Sequence, residues 1–238
     1  IPCLWYRGVT PLKYTMPTTE ADEIIYDIND QDPQISFVPG QAVYLDGSGG
    51  KNSRDRRLRR VGWAWVQYSP IPDHEVRPVT DLDMTGQYGS LEGTQTVPRS
   101  ELKALLNLIL YVTGLVQPAE FKQDIYTDNQ AVYDGYRKGP RPGHGNMDDM
   151  WEVFWAIHKC AVRRGWGFRL LKIKAHTLDT PMNWEKYSAD DTPHEHRLGN
   201  SYADYWADKA ADIAEVPWAE VNVTVSYTHL RAHETRNN

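Results

Sequence analysis

Four carboxylates stand in four separate motifs of this chain: Asp46 in Val-Tyr-Leu-Asp-Gly-Ser, Glu101 in Pro-Arg-Ser-Glu-Leu-Lys-Ala-Leu, Asp128 in Ile-Tyr-Thr-Asp-Asn, and Asp204 in Gly-Asn-Ser-Tyr-Ala-Asp. Two fall where a strand should run out, one near a helix start, and one on an alanine-rich helix. Acidic side chains that converge from distant parts of a chain repel one another unless a cation stands between them. Hard divalent ions such as Mg²⁺ take oxygen ligands, and a pair of them can hold both sides of an in-line phosphoryl displacement. The chemistry indicated is that of a metal-dependent nuclease.

The elements that must bring these groups together can be read from periodicity. Gln41 to Asp46 alternates, with Val43 and Leu45 facing opposite to Tyr44 and Asp46, and predicts a strand that ends at Gly47-Ser48-Gly49-Gly50. A basic loop, Arg54 to Arg60, leads to a second strand over Val61 to Tyr68, and a third is expected within Met84 to Val97. Pro98-Arg99-Ser100 signals a helix start, and Leu102, Leu105, Leu106, Ile109 and Val112 then recur at helical spacing up to Gly114. A strand over Gln123 to Asp128 precedes a short helix, Asn129 to Lys138, closed by Gly139-Pro140. A longer helix over Asp148 to Arg164 is followed by a strand from Trp166 to Ile173. A polar insertion, Thr177 to Leu198, separates this from a last helix at about Asn200 to Ala214. This order predicts an α/β fold, a mixed five-stranded sheet flanked by helices.

Bulk composition narrows the class without deciding it. The 238 residues suffice for one substantial core, and nine Trp and fourteen Tyr favour a packed globular domain. Trp63, Trp65, Trp151 and Trp155 are expected in the core rather than as base-stacking platforms. Two cysteines, Cys3 and Cys160, are too few for a disulfide framework and fit a reducing, intracellular compartment. No apolar run approaches the roughly 20 residues that span a bilayer. The net charge of −6 is concentrated in the first forty residues, which hold two bases against six acids, while residues 41–215 are close to balance. Overall charge therefore neither supports nor excludes a polyanionic partner. Residues 1–38 mix Pro, Thr and acids with little periodicity and read as a linker or the end of an upstream module, before a domain over 39–216 and a tail over 217–238.

Taken together, the four motifs resemble the type 1 ribonuclease H domain, over about residues 40 to 215 and in the family's element order. An Asp-Gly after a strand is usually only a turn, and a helical acid is usually solvated; four in family order, with Gly199-Asn200 preceding Asp204, carry far more weight. The resemblance implies that Asp46, Glu101, Asp128 and Asp204 bind two Mg²⁺ ions, with Mn²⁺ as a substitute, and that the RNA strand of an RNA–DNA hybrid is hydrolysed. It also implies an assisting histidine after the last strand. His176, in Lys-Ala-His, is favoured, with His194 (ten residues before Asp204) and His196 as alternatives. Ser48, Gly49 and Asn129 follow the strand carboxylates and are the expected substrate contacts. The family's basic helix is replaced here by Gly139-Pro-Arg-Pro-Gly-His-Gly145. The Arg54–Arg60 loop could supply phosphate contacts in its stead.

Rival readings are a non-catalytic nucleic-acid-binding module on the same fold and a related DNA nuclease or transposase. The first residue is Ile, and the acidic lead-in and the long insertion look more like domains attached to retroelement reverse transcriptases, which would make a reverse transcriptase a partner in the same polyprotein. The tail from Val225 to Thr235 resembles a translated sequencing adapter, so His229 and His233 are excluded from the chemistry.

Overall fold

The computed structural model describes residues 22–29, 36–69, 80–115, 121–176 and 192–222. The tail over 225–235, with His229 and His233, and most of the 177–198 insertion lie outside them. Among the described residues, six strands form one mixed sheet: β1 (Ile25–Asp27), β2 (Val43–Ser48), β3 (Gly62–Tyr68), β4 (Met84–Ser90), β5 (Phe121–Thr127) and β6 (Trp166–Lys172), in the spatial order β1-β4-β3-β2-β5-β6. Strands β1, β4, β3 and β2 pair antiparallel in succession, whereas β2–β5 and β5–β6 are parallel. Among the described residues, helices α1 (Val97–Gly114), α2 (Gln130–Lys138), α3 (Asp148–Arg163) and α4 (His194–Ile213) flank the sheet. The expected α/β class, a mixed sheet between helices, is borne out.

The alternation in β2 divides the core. Val43 and Leu45 join Trp63, Trp65, Leu102, Leu105, Ile109, Trp151 and Phe154 beneath α1 and α3. Tyr44 joins Ala64, Val66, Tyr68, Ala203, Trp206, Ala207 and Ala210 beneath α4. Because both faces are covered, every residue of β3 is buried. Trp63, Trp65 and Trp151 are fully enclosed and Trp155 packs at the edge of the same core, as expected for structural tryptophans.

The alanine face of α4 lets the helix come down onto the sheet at Gly62, where a Cβ would lie 2.1 Å from the Ala207 carbonyl oxygen and 2.4 Å from the Ala211 nitrogen. Both obstacles are backbone, so nothing flexible can yield. Gly62→Val is therefore expected to push α4 off the sheet, at a cost above the usual ~1–3 kcal/mol of overpacking. The melting temperature followed by circular dichroism should fall by roughly 10 °C or more; an unchanged melt would show that α4 does not dock as described.

Two features differ from the sequence expectation. The sheet has a sixth strand: Ile25, Tyr26 and Asp27 pair with Gly89, Tyr88 and Gln87. Phe37 is buried against Trp65, Tyr111 and Trp166. Residues 22–29 and 36–38, within the stretch 1–38 read as a linker or the end of an upstream module, thus contribute an edge strand and a core aromatic. All three β1 residues are exposed, so no alternation marked it. The last helix also begins six residues early, at His194, with Pro193 as its N-cap residue. Gly199, which reads as a break before the helix, lies inside it. Its lack of a side chain accommodates the Tyr44 ring, within 2.4 Å of where a Cβ would be.

Candidate active site

The parallel pairing of β2 and β5 decides where the first two carboxylates meet. Tyr44 pairs with Tyr126 and Leu45 with Thr127, so Asp46 and Asp128 emerge as neighbours where this parallel pairing stops, Asp128 just past β5 and Asp46 within β2, which runs on to Ser48 against β3. Such a crevice beyond the carboxyl ends of parallel strands is where open α/β sheets place their sites. Glu101 arrives from α1. At Gly47 a Cβ would stand 2.3 Å from Ser100 Oγ and 2.8 Å from Glu101 Cγ, so the glycine after Asp46 is what lets α1 lean against β2. Asp46, Glu101 and Asp128 each offer a carboxylate oxygen, and these oxygens all lie within 4.8 Å of one another. Asp204 is half-buried on α4, and its charge acts on Asp46.

Asp46 and Glu101 are almost fully enclosed, at 5% and 2% exposure. Burial, followed by the charges of Glu101, Asp128 and Asp204, pushes the Asp46 carboxyl well above the usual carboxylate range, against a 2.6 Å hydrogen bond that it accepts from the Gly47 N–H. Burial and the Asp128 charge push Glu101 up to about 8, opposed by hydrogen bonds from Thr127 and Asn129 and by the charge of Lys172. Carboxyls held this way are short of positive charge. An all-oxygen donor set of this kind fits a hard divalent ion.

Polar side chains to which the sequence reading gave no part in the cluster secure it: Thr127, Asn200, and Asn129, which was expected to contact substrate. The Thr127 hydroxyl donates to Glu101 Oε2 at 2.7 Å, and Asn129 Nδ2 donates to Oε1 at 3.1 Å. Asn200, 5% exposed on α4, donates from Nδ2 to Asp128 Oδ2 at 3.2 Å, while its Oδ1 is buried with no partner among the described residues. Asn200 and Asp204 are one helical turn apart and so face the same way. That spacing was the available signal, because an Asn four residues before an Asp on a helix shares its face.

The other expected site residues are distributed as follows. Ser48 donates to the Asp208 carboxylate on α4 and accepts from the Gly50 N–H at 3.1 Å. At Gly49 a side chain would meet Ser53 Cβ at 2.9 Å. His176 is exposed beyond β6 and takes a left-handed conformation, φ 51°, uncommon for a residue with a side chain. His194 is exposed at the start of α4. His196 is instead pinned: its Nδ1 lies 2.9 Å from the Tyr44 hydroxyl, its ring stacks on Tyr126 at 4.1 Å, and burial lowers its pKa. In the basic loop, Arg57 pairs with Asp55, Arg59 donates to the Ser53 carbonyl and Arg60 is buried. Arg54 and Arg56 remain exposed.

No protein-family model matches the chain, and no curated protein matches it in sequence. Solved structures do. LC9-RNase H1, described as a type 1 RNase H with the type 2 active-site motif, is 19% identical with a TM-score of 0.45, over 74% of this chain and 75% of its own. The PFV RNase H domain is 15% identical with a TM-score of 0.49, over 74% of this chain and 96% of its own. The N-terminal RNase H domain of Rv2228c from Mycobacterium tuberculosis is 15% identical with a TM-score of 0.42, over 73% and 96%.

Proposed function

We propose that this chain is a ribonuclease H that hydrolyses the RNA strand of RNA–DNA hybrids with divalent metal ions. The observation that carries the reading is the meeting of carboxylate oxygens of Asp46, Glu101 and Asp128 within 4.8 Å where the parallel pairing of β2 and β5 stops. Three carboxyls of which two are buried, with the Asp204 charge beside them, destabilise the protein unless a cation joins them. In this reading Asp46, Glu101, Asp128 and Asp204 hold two Mg²⁺ ions, or Mn²⁺ in their place. Bound there, such ions lower the pKa of an attacking water and stabilise charge on the departing 3′ oxygen. The carboxylates, fixed before reaction, would orient the scissile phosphate only through the ions they hold, since carboxylate and phosphate repel each other directly.

Substrate selection follows from what lies beside the crevice. Gly49 and Ser48 bring backbone close to where the hybrid would lie, and contacts to successive 2′-hydroxyls distinguish an RNA strand from DNA. Exposed Arg54 and Arg56 are the phosphate contacts of this reading. His176, exposed and past the last strand, serves proton transfer or product release; His196 is engaged by Tyr44 and Tyr126. A reverse transcriptase in the same polypeptide is the partner implied by the family resemblance, and the nucleotide sequence upstream tests it.

The direct experiment is cleavage of a labelled RNA–DNA hybrid with Mg²⁺, with Mn²⁺ and with chelator, beside duplex DNA as the competing substrate. Cleavage of the RNA strand alone, leaving 3′-hydroxyl and 5′-phosphate ends and abolished by chelator, is the expected result. Cutting of duplex DNA at a comparable rate would replace the reading with a DNA nuclease, and metal-independent cleavage would remove it. In the same assay His176→Ala should slow turnover by about 10²-fold, in the range typical of a proton-transfer group; if His194→Ala does so instead, the two histidines exchange roles.

A further inference from the structure

We infer that Asn129 is a positioning residue that holds Glu101 in the metal-binding cluster, and that its side chain is committed to this rather than to substrate. The inference rests on the metal-site reading above and adds a residue to it. Asn129 ends the Ile-Tyr-Thr-Asp-Asn motif and is the N-cap of α2, where its Oδ1 accepts from the Ala131 and Val132 N–H groups at 2.9 and 3.2 Å. An N-cap serine, threonine or aspartate would do as much. An amide has a second end. Here that end, Nδ2, donates to Glu101 Oε1 at 3.1 Å.

The orientation of the amide is settled by its surroundings. Two backbone N–H donors converge on one end, so that end must be the oxygen; a flipped amide would set donor against donor. The start of α2 therefore aims Nδ2 at Glu101. Thr127 completes the grip: its hydroxyl donates to Glu101 Oε2 and accepts from the Asn129 backbone N–H at 3.1 Å. Both carboxylate oxygens are thus held by the residues on either side of Asp128. Without them a long, flexible side chain would face Asp46 and Asp128 across less than 4.8 Å and turn away. Of the four hydrogen-bonding positions of the Asn129 amide, three are taken, which leaves one N–H for anything else.

The two roles can be separated. Asn129→Ser keeps an oxygen for the α2 cap, but its hydroxyl stops one bond short of the Nδ2 that reaches Glu101. Thr127→Val removes the other donor at nearly constant volume. In the full chain, Mn²⁺ binding is read from the electron-paramagnetic signal of the free ion, alongside metal-free melting and the KM for hybrid at saturating Mn²⁺. Asn129→Ser is expected to melt near the parent, to weaken Mn²⁺ binding about 10- to 100-fold, as loss of an outer-shell partner does, and to leave KM within about twofold. Thr127→Val should weaken Mn²⁺ binding in the same direction. Parental Mn²⁺ affinity in both variants overturns the inference. So does a raised KM with parental Mn²⁺ affinity in Asn129→Ser, which would return Asn129 to the substrate contacts. A parent chain that binds no Mn²⁺ at all would instead overturn the metal-site reading beneath it, a distinct outcome.

Discussion

Asp128→Asn is expected to abolish hybrid cleavage while making the metal-free protein more stable. The substitution keeps the size of the side chain and an oxygen able to accept from Asn200 Nδ2, so α4 stays tied to the end of β5. It removes one negative charge from a group that presses on both Asp46 and Glu101. Loss of a charged ligand forfeits the several kcal/mol of charge stabilisation that a metal site supplies, which corresponds to about a thousandfold or more in rate. The same loss relieves repulsion among buried carboxyls, so the melting temperature in chelator should rise. The two readouts move in opposite directions, which a merely damaged fold cannot produce. Parental cleavage by purified Asp128→Asn would overturn the assignment of Asp128 to the metal site.

The second large effect is the dependence of stability on pH and metal. Glu101 is raised from its ordinary value of 4.5 to about 8, and Asp46 is raised with it. A carboxyl whose pKa is higher in the folded than in the unfolded protein binds the extra proton on folding. Its contribution is present below the unfolded value and is lost as pH climbs through the folded one. In chelator the melting temperature should therefore decline between about pH 4.5 and 8, the window set by Glu101. Glu101→Gln, which cannot ionise, should flatten that slope and so separate it from other titrations. Divalent ions bind the ionised carboxylates and should reverse the trend. At a hundred times its dissociation constant, Mn²⁺ adds about 2.7 kcal/mol, worth roughly 5–10 °C in a chain of this size. A metal-free melt that holds steady or climbs over this window, in parent and Glu101→Gln alike, would show that these carboxyls do not share a crowded site.

Much of the architecture was legible in local pattern. The alternation around Val43 and Leu45 marked β2, the three-and-four spacing of Leu102, Leu105, Ile109 and Val112 marked the buried face of α1, and Pro98 and Gly139 marked helix ends. Each is a signal written within a few residues. Strand β1 carries none, being three exposed residues whose only reason to be extended is the edge of β4. The start of α4 was hidden for a related reason: Gly199 has the poorest helix propensity short of proline, and only the Tyr44 ring, on the sheet face beneath α4, explains why it belongs there.

The candidate site divides along the same line. Asp46, Glu101, Asp128 and Asp204 could be named from sequence because their four motifs stand in the order that resembles the ribonuclease H family; each alone reads as a turn or a solvated helical acid. How they are held was decided only by the tertiary structure. The one-residue register of β2 against β5 sets Asp46 beside Asp128, the missing side chain of Gly47 admits Glu101, and Thr127, Asn129 and Asn200 fix the carboxylates from three different elements. Residue type and local periodicity are properties of neighbours along the chain. Hydrogen bonds such as that from Asn200 to Asp128, 72 positions apart, and repulsion among buried charges exist only once the sheet has brought those groups together.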